Sequence, residues 1–159
     1  MKACYFYEGA IGRYGLQESG GELTRVWVGD RVEAVPEGCE RKETPLLKEA
    51  RRQLDAYFDG RLKTFDLPYL LEGTPFQQKV WRALCSIPYG TCITYGELAA
   101  RIGDPKACRA VGMANGRNPL PVIVPCHRVI GSGGKLTGYT GGLDIKTKLL
   151  QIEGITLFV

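Results

Sequence analysis

Cys126 and His127 stand side by side in Ile123-Val124-Pro125-Cys126-His127-Arg128-Val129-Ile130, an otherwise apolar stretch, and His127 is the only histidine of the chain. The thiolate is the nucleophilic form of cysteine, and an unperturbed thiol with pKa ~8.5 is only slightly ionised at neutral pH. Chemistry at Cys126 therefore needs a base or a positive charge at hand, and His127 and Arg128 are the candidates. A histidine acting as base needs an acid to orient it. In the second half of the chain only Glu97, Asp104, Asp144 and Glu153 can supply one. Two readings fit these residues alone: an activated nucleophile, or a small buried cysteine beside a hydrogen-bonded core histidine.

The six cysteines are Cys4, Cys39, Cys85, Cys92, Cys108 and Cys126. A disulfide framework is not expected, because 159 residues with 44% hydrophobic content can bury a core without staples. The start, Met1-Lys2-Ala3-Cys4-Tyr5-Phe6-Tyr7-Glu8, has no apolar stretch or cleavage site of a signal peptide. No C-x-x-C occurs, and a lone histidine leaves no zinc-ligand spacing. No run approaches the roughly 18 apolar residues of a membrane span. The expectation is a soluble, cytoplasmic protein with no membrane association and no metal.

Several elements must position the Cys126 segment. Cys4–Tyr7 and Leu23–Val28 are rich in aromatic and β-branched residues, and Gly20-Gly21 offers a turn between two such stretches. Residues 35–43 read as a loop. A helix then opens at Thr44-Pro45, with Leu47, Ala50, Leu54 and Phe58 in register and Gly60 at its end. Residues 61–73 are linker-like, which places a boundary between an N-terminal domain, 1–72, and a C-terminal domain, 73–159. Thr74-Pro75-Phe76-Gln77 is a capping-box start for a helix with the stripe Phe76, Val80, Leu84 and Ile87. A second capping box, Thr94-Tyr95-Gly96-Glu97, opens a short helix that Gly103 closes. Asp104-Pro105 is expected to cap and start the next helix, through Ala107, Ala110, Val111 and Ala114. Gly131-Ser132-Gly133-Gly134 reads as a hairpin turn and 138–142 as a tight loop. A last helix runs from about Leu143 to Glu153.

The two short helices around Gly103-Asp104 have the proportions of a helix-turn-helix, and the second is rich in alanine and glycine beside Lys106 and Arg109. Charge agrees in direction. Residues 1–72 hold 11 Lys/Arg against 13 Asp/Glu, a net of −2, whereas 73–159 hold 10 against 4, a net of +6. A basic second half suits a polyanion, though a merely soluble basic surface fits the charge equally well.

Pro125-Cys126-His127-Arg128-Val129 resembles the active-site signature of the O6-alkylguanine-DNA alkyltransferases. The resemblance covers roughly residues 73–154: Gly73-Thr74-Pro75-Phe76-Gln77 with Val80-Trp81, Ile87-Pro88-Tyr89-Gly90, Thr94-Tyr95, Arg109-Ala110-Val111-Gly112, Asn115 to Pro119, and Gly138-Tyr139-Thr140-Gly141-Gly142-Leu143. The first half is similar only in its strand-rich start and one helix. Some relatives carry a zinc in that half, and the histidines for it are missing here.

The resemblance implies an α/β (α+β) protein: an N-terminal β-sheet domain with a helix, then a mainly helical domain with a winged-helix-like helix-turn-helix. It implies single-turnover, irreversible transfer of the alkyl group from O6-alkylguanine, or from O4-alkylthymine, to the Cys126 thiolate. His127 would deprotonate Cys126 through a water, Glu153 would orient His127, and Tyr95 would donate a hydrogen bond to guanine N3. Tyr139 would wall the alkyl pocket. Thr140 stands where many relatives have serine, a departure that keeps the hydroxyl and adds a methyl. Asn118 would tie the helix-turn-helix to the active-site loop. Arg109 would fill the stack left by the flipped base, with Ala110 at the minor groove and Arg128 among the DNA-binding residues. The implied partner is double-stranded DNA, bound by a monomer without cofactor.

Two other functions remain distinct in kind. A lesion sensor or winged-helix regulator would bind without transfer, and relatives of that type lack the cysteine. A cysteine hydrolase built on Cys126 and His127 would turn over repeatedly on an acyl substrate, and its usual local signatures are absent.

Overall fold

The computed structural model describes residues 1–29, 34–139 and 142–156. Strands β1 (Lys2–Gly9), β2 (Gly12–Ser19) and β3 (Glu22–Val28) form an antiparallel meander, and the short β4 (Cys39–Arg41) adds a parallel edge to β1. The sheet order is β3-β2-β1-β4. β2 and β4 were not legible as strands. β2 contains two glycines and few β-branched residues, and it is a strand because both its edges are paired. Gly15 has a packing reason: a Cβ there would come within 2.7 Å of Phe6 and 2.8 Å of Trp27, whose rings stack with centroids 6.0 Å apart.

Helix α1 (Pro45–Phe58) covers one face of this sheet. Thr44 caps it by accepting from Leu47 N–H at 3.2 Å, and proline sits in the first turn where no donor is needed. Leu47, Ala50, Leu54 and Tyr57 are buried, and Phe58 packs edge-on to Tyr14 at 5.8 Å. The passage that follows is no free linker. Leu23 N–H donates to the Pro68 carbonyl and Leu70 N–H to the Leu23 carbonyl, both at 2.9 Å. Further along the same strand, Val26 N–H donates to the Pro119 carbonyl at 2.9 Å. The outer edge of β3 is thereby closed by chain from beyond it on both sides of residue 73.

The second half holds α2 (Pro75–Leu84), α3 (Tyr95–Arg101), α4 (Cys108–Gly116) and α5 (Leu143–Ile152). Both capping boxes form, Thr74 with Gln77 and Thr94 with Glu97. One boundary differs from expectation. Asp104-Pro105 does not cap α4: Asp104 accepts from Ala107 N–H at 3.0 Å in a separate turn, and the helix starts at Cys108 without a side-chain cap. Gly131–Gly134 is likewise not a β-hairpin turn but a 3₁₀ turn, Ser132–Gly134. The strand before it, β6 (Val129–Ile130), pairs in parallel with β5 (Ile93–Thr94) rather than with a following strand.

One hydrophobic cluster runs through both halves, from Leu16 and Leu54 through Val80, Leu84 and Ile87 to Val111, Val129 and Leu149. The architecture is the expected α+β one, a sheet with one helix followed by a mainly helical half. Among the described residues no helix is long and apolar enough to cross a membrane.

Candidate active site

Three connections hold the Cys126 segment in place. The β5–β6 ladder pairs Ile93 with Val129 and Thr94 with Ile130, so the start of α3 lies beside the single 3₁₀ turn Cys126–Arg128. Asn118, just past α4, donates from Nδ2 to the Val124 carbonyl at 2.8 Å and accepts from Leu120 N–H at 2.9 Å. Asn115, inside α4, donates to the Cys126 carbonyl at 3.3 Å. Between these anchors Val122 is held at φ 75°, a left-handed conformation that a β-branched residue adopts only under constraint. Everything from Leu120 to Ile130 is buried.

At the centre is the Cys126 thiol, 1% exposed. Burial pushes its pKa up, while the Asn118 amide, the Lys146 ammonium and the Tyr139 hydroxyl each favour the thiolate. The balance stays above the ordinary value, so the thiol needs a base. The Tyr139 hydroxyl is turned to this thiol without a well-formed hydrogen bond, and burial, then Cys126, pushes it well above the usual tyrosine range.

His127 is fully buried, and burial lowers its pKa even though Glu153 pulls the other way. The ring is therefore neutral at neutral pH. Its Nε2 lies 2.6 Å from Glu153 Oε2, and a carboxylate only accepts, so Nε2 carries the proton. Nδ1 is left as the basic nitrogen, with no protein partner among the described residues.

Glu153 follows α5. Its Oε1 accepts from Gly90 N–H at 3.0 Å and Arg128 Nε at 2.8 Å, and its Oε2 accepts from His127, the Tyr57 hydroxyl and Arg128 Nη2. Burial would raise this carboxyl, but the hydrogen bonds from His127 and Arg128 outweigh it and hold it at about 2. Arg128 also donates to the Ile87 carbonyl at 2.7 Å. Its expected role among the DNA-binding residues is corrected by this: the guanidinium is buried, and its partners are Glu153 and a backbone carbonyl.

Two site residues escaped the sequence reading. Lys146 on α5 is fully buried and donates to the carbonyls of Val129 (2.7 Å), Thr137 (2.9 Å) and Gly138 (3.4 Å). Burial lowers it to about 8, and the nearby Cys126 and Cys92 favour its charged form. The spacing 146, 149, 150, 153 places it on one helical face with Leu149, Leu150 and Glu153, a signal that was available. Tyr57, on α1, meets Glu153 and lies 3.2 Å from His127 Nε2.

Tyr95 begins α3, and its hydroxyl accepts from Thr137 Oγ1 at 3.4 Å, which leaves its own proton free to be donated. Arg109 and Ala110 lie on the exposed face of α4, with Met113 59% exposed on the same helix and Lys106 exposed just before it. Thr140 lies outside the described residues. All six cysteines are free thiols, and no cluster able to hold a metal occurs among the described residues.

Residues 75–155 match the family description "6-O-methylguanine DNA methyltransferase, DNA binding domain", and residues 4–71 match "6-O-methylguanine DNA methyltransferase, ribonuclease-like domain". A constitutive methylated-DNA–protein-cysteine methyltransferase of Bacillus subtilis is 51% identical over 156 residues, covering 94% of this chain and 93% of its own. A methylated-DNA–protein-cysteine methyltransferase of Methanosarcina acetivorans is 55% identical, over 86% of this chain and 87% of its own. The crystal structure of Mycobacterium tuberculosis OGT in complex with DNA superposes with a TM-score of 0.88 at 45% identity, over 95% of this chain and 92% of that one.

Proposed function

The chain belongs to the 6-O-methylguanine DNA methyltransferase family, and on that footing we propose that it repairs O6-alkylguanine in DNA by moving the alkyl group onto Cys126. The observation that carries this reading is a buried thiol on a loop held by α4 and set beside a neutral His127 that is bonded to the Glu153 carboxylate.

The thiol proton passes through a water to His127 Nδ1, the one basic ring nitrogen. The resulting imidazolium is stabilised by Glu153, which stays a carboxylate. The thiolate then attacks the alkyl carbon in line with the C–O6 bond. The S–C bond forms, the C–O6 bond breaks, and its electron pair stays with the base. Tyr95 donates to guanine N3 as that charge develops, and the base takes up the proton that the thiol released. Asn118, Lys146 and Tyr139 favour the thiolate in the meantime. The product is a thioether, which nothing in the site is built to cleave, so each molecule reacts once. No cofactor enters the reaction.

Because the thiol is 1% exposed, a base stacked in a duplex cannot touch it. The lesion must leave the stack, at a cost of a few kcal/mol that is smaller for a weakened pair. Arg109 on the exposed face of α4 enters the gap from the minor groove, with Ala110 giving close approach. The protein acts as a monomer, since nucleophile, base and helix-turn-helix lie in one chain. The cytoplasm suits its six free thiols, which a reducing compartment preserves.

Intact and peptide mass spectrometry after mixing with a duplex bearing one O6-methylguanine tests this. One methyl per molecule is expected, on the peptide carrying Cys126, and none for Cys126→Ser. Unmodified wild-type protein that still binds the lesion would replace the transferase with a sensor. Turnover beyond one would indicate a hydrolase.

A further inference from the structure

Tyr57 belongs to α1, in the half of the chain that holds neither Cys126 nor the helix-turn-helix. Its ring is fixed by Phe58 (5.9 Å between centroids), Phe65 (5.3 Å) and Tyr89 (6.2 Å), and no part of it reaches solvent. The hydroxyl ends on the His127–Glu153 pair. A phenol has one proton, and Glu153 can only accept, so that proton goes to Glu153 Oε2. The phenol oxygen then presents lone pairs to His127 Nε2 at 3.2 Å, while Nε2 donates to the same Oε2 at 2.6 Å. The Nε2 proton is thus met by two acceptors at once. The opposite tautomer would set a bare nitrogen 2.6 Å from the Glu153 oxygen, and Tyr57 could meet it only by giving up its own bond to Glu153.

We propose that Tyr57 is a positioning residue for nucleophile activation: from the N-terminal half it holds His127 in the Nε2–H tautomer that leaves Nδ1 free to take the Cys126 proton. The inference rests on the transferase reading given above, in which His127 is the base. Donation from Tyr57 also draws charge from Glu153, which moderates its pull on an imidazolium. The other groups facing Tyr57 and the pair are the Gly90 N–H, Tyr89 and Cys92 from the chain after α2, Arg128 from the 3₁₀ turn, Tyr139 and Lys146. Among the described residues none of them comes from the N-terminal half.

Tyr57→Phe keeps the ring contacts and removes only the hydroxyl. Its single-turnover transfer from an O6-methylguanine duplex should be about tenfold slower at pH 7, less than the roughly 10²–10⁴ that a general base itself supplies. Affinity for the lesion duplex should be unchanged. With Glu153 relieved of one donor, the imidazolium gains stability, so the acid limb of the rate–pH profile should move to higher pH. His127 is the only histidine of the chain, so ¹⁵N NMR reads it without overlap. The wild-type ring should show a protonated Nε2 and bare Nδ1, and this holds the proposal to account even if the variant unfolds. A wild-type Nδ1–H tautomer overturns it. So does a variant with unchanged rate, or one that is slower with an unmoved acid limb, since either leaves Tyr57 a packing residue. Failure of the wild-type protein to transfer would instead overturn the transferase reading beneath it.

Discussion

Glu153 ties a buried arginine, a buried histidine and a tyrosine from the other half of the chain to one carboxylate. Its folded pKa of about 2 lies below its ordinary 4.5, so it stabilises the fold fully above pH 4.5 and progressively less as pH falls toward 2. The contribution is about 2 kcal/mol once solvent screening is allowed for. His127 acts in a separate window: burial depresses it, so the unfolded chain takes up its proton first and stability falls as pH drops below ~6.5. Glu153→Gln leaves the Arg128 charge buried without its partner, at a cost of about 3–5 kcal/mol at pH 7. It should also flatten the acid slope between pH 4.5 and 2. Urea unfolding at pH 7 and at pH 3 checks both, and a variant as stable as wild type would mean the pair is dispensable. Cys126 and His127 were legible in the sequence because they stand together in a short motif, while the scarcity of acids left four partners open and only the family resemblance pointed to Glu153. Tyr57 was not, because its partners lie 70 and 96 positions away. That Arg128 binds Glu153 and not DNA was not legible either, because a motif states residue type and not the direction a side chain takes.

At the scale of elements, α4 joins the DNA side of the proposal to the chemistry. Its exposed face presents Arg109 and Ala110, and Asn115, with Asn118 just beyond it, holds the backbone of the Cys126 loop from within. Arg109→Ala should therefore slow transfer from duplex DNA by roughly 10- to 100-fold, the worth of a few kcal/mol of flipping. Reaction with free O6-methylguanine base should change by less than about twofold, because no stack has to be filled. Rates on the two substrates, measured side by side, decide this, and equal loss on both would remove Arg109 from the flipping step. Helix starts with a side-chain cap were readable to the residue, as at Thr44, Thr74 and Thr94. The start of α4 was not. Asp104-Pro105 has the composition of a cap but closes a turn of its own, and α4 begins where packing on α2 and α3 allows.

The whole molecule is held together across residue 73 by a shared core, by β3 backbone bonds to Pro68, Leu70 and Pro119, and by Tyr57 at the site. The two halves should accordingly unfold together. Trp27 lies in the first half and Trp81 in the second, and they are the only tryptophans. Fluorescence of Trp81 in Trp27→Phe, and of Trp27 in Trp81→Phe, should each coincide with the far-UV circular dichroism transition of the same variant in urea. A separate early transition at either tryptophan would show two independently stable units.

By itself the sequence determined the local features of this protein: helices with capping boxes and apolar stripes, the Gly20-Gly21 turn, and a cysteine and the one histidine set side by side. Those features depend on residues within a few positions of one another, where propensity and hydrogen-bond geometry act directly. Only the tertiary structure decided that β2 is a strand, that Arg128 and Lys146 turn inward, and that Tyr57 meets His127. Each of these depends on which distant groups share a buried volume. There a charge or hydroxyl must find a partner or lose several kcal/mol, and no local pattern records which partner that will be.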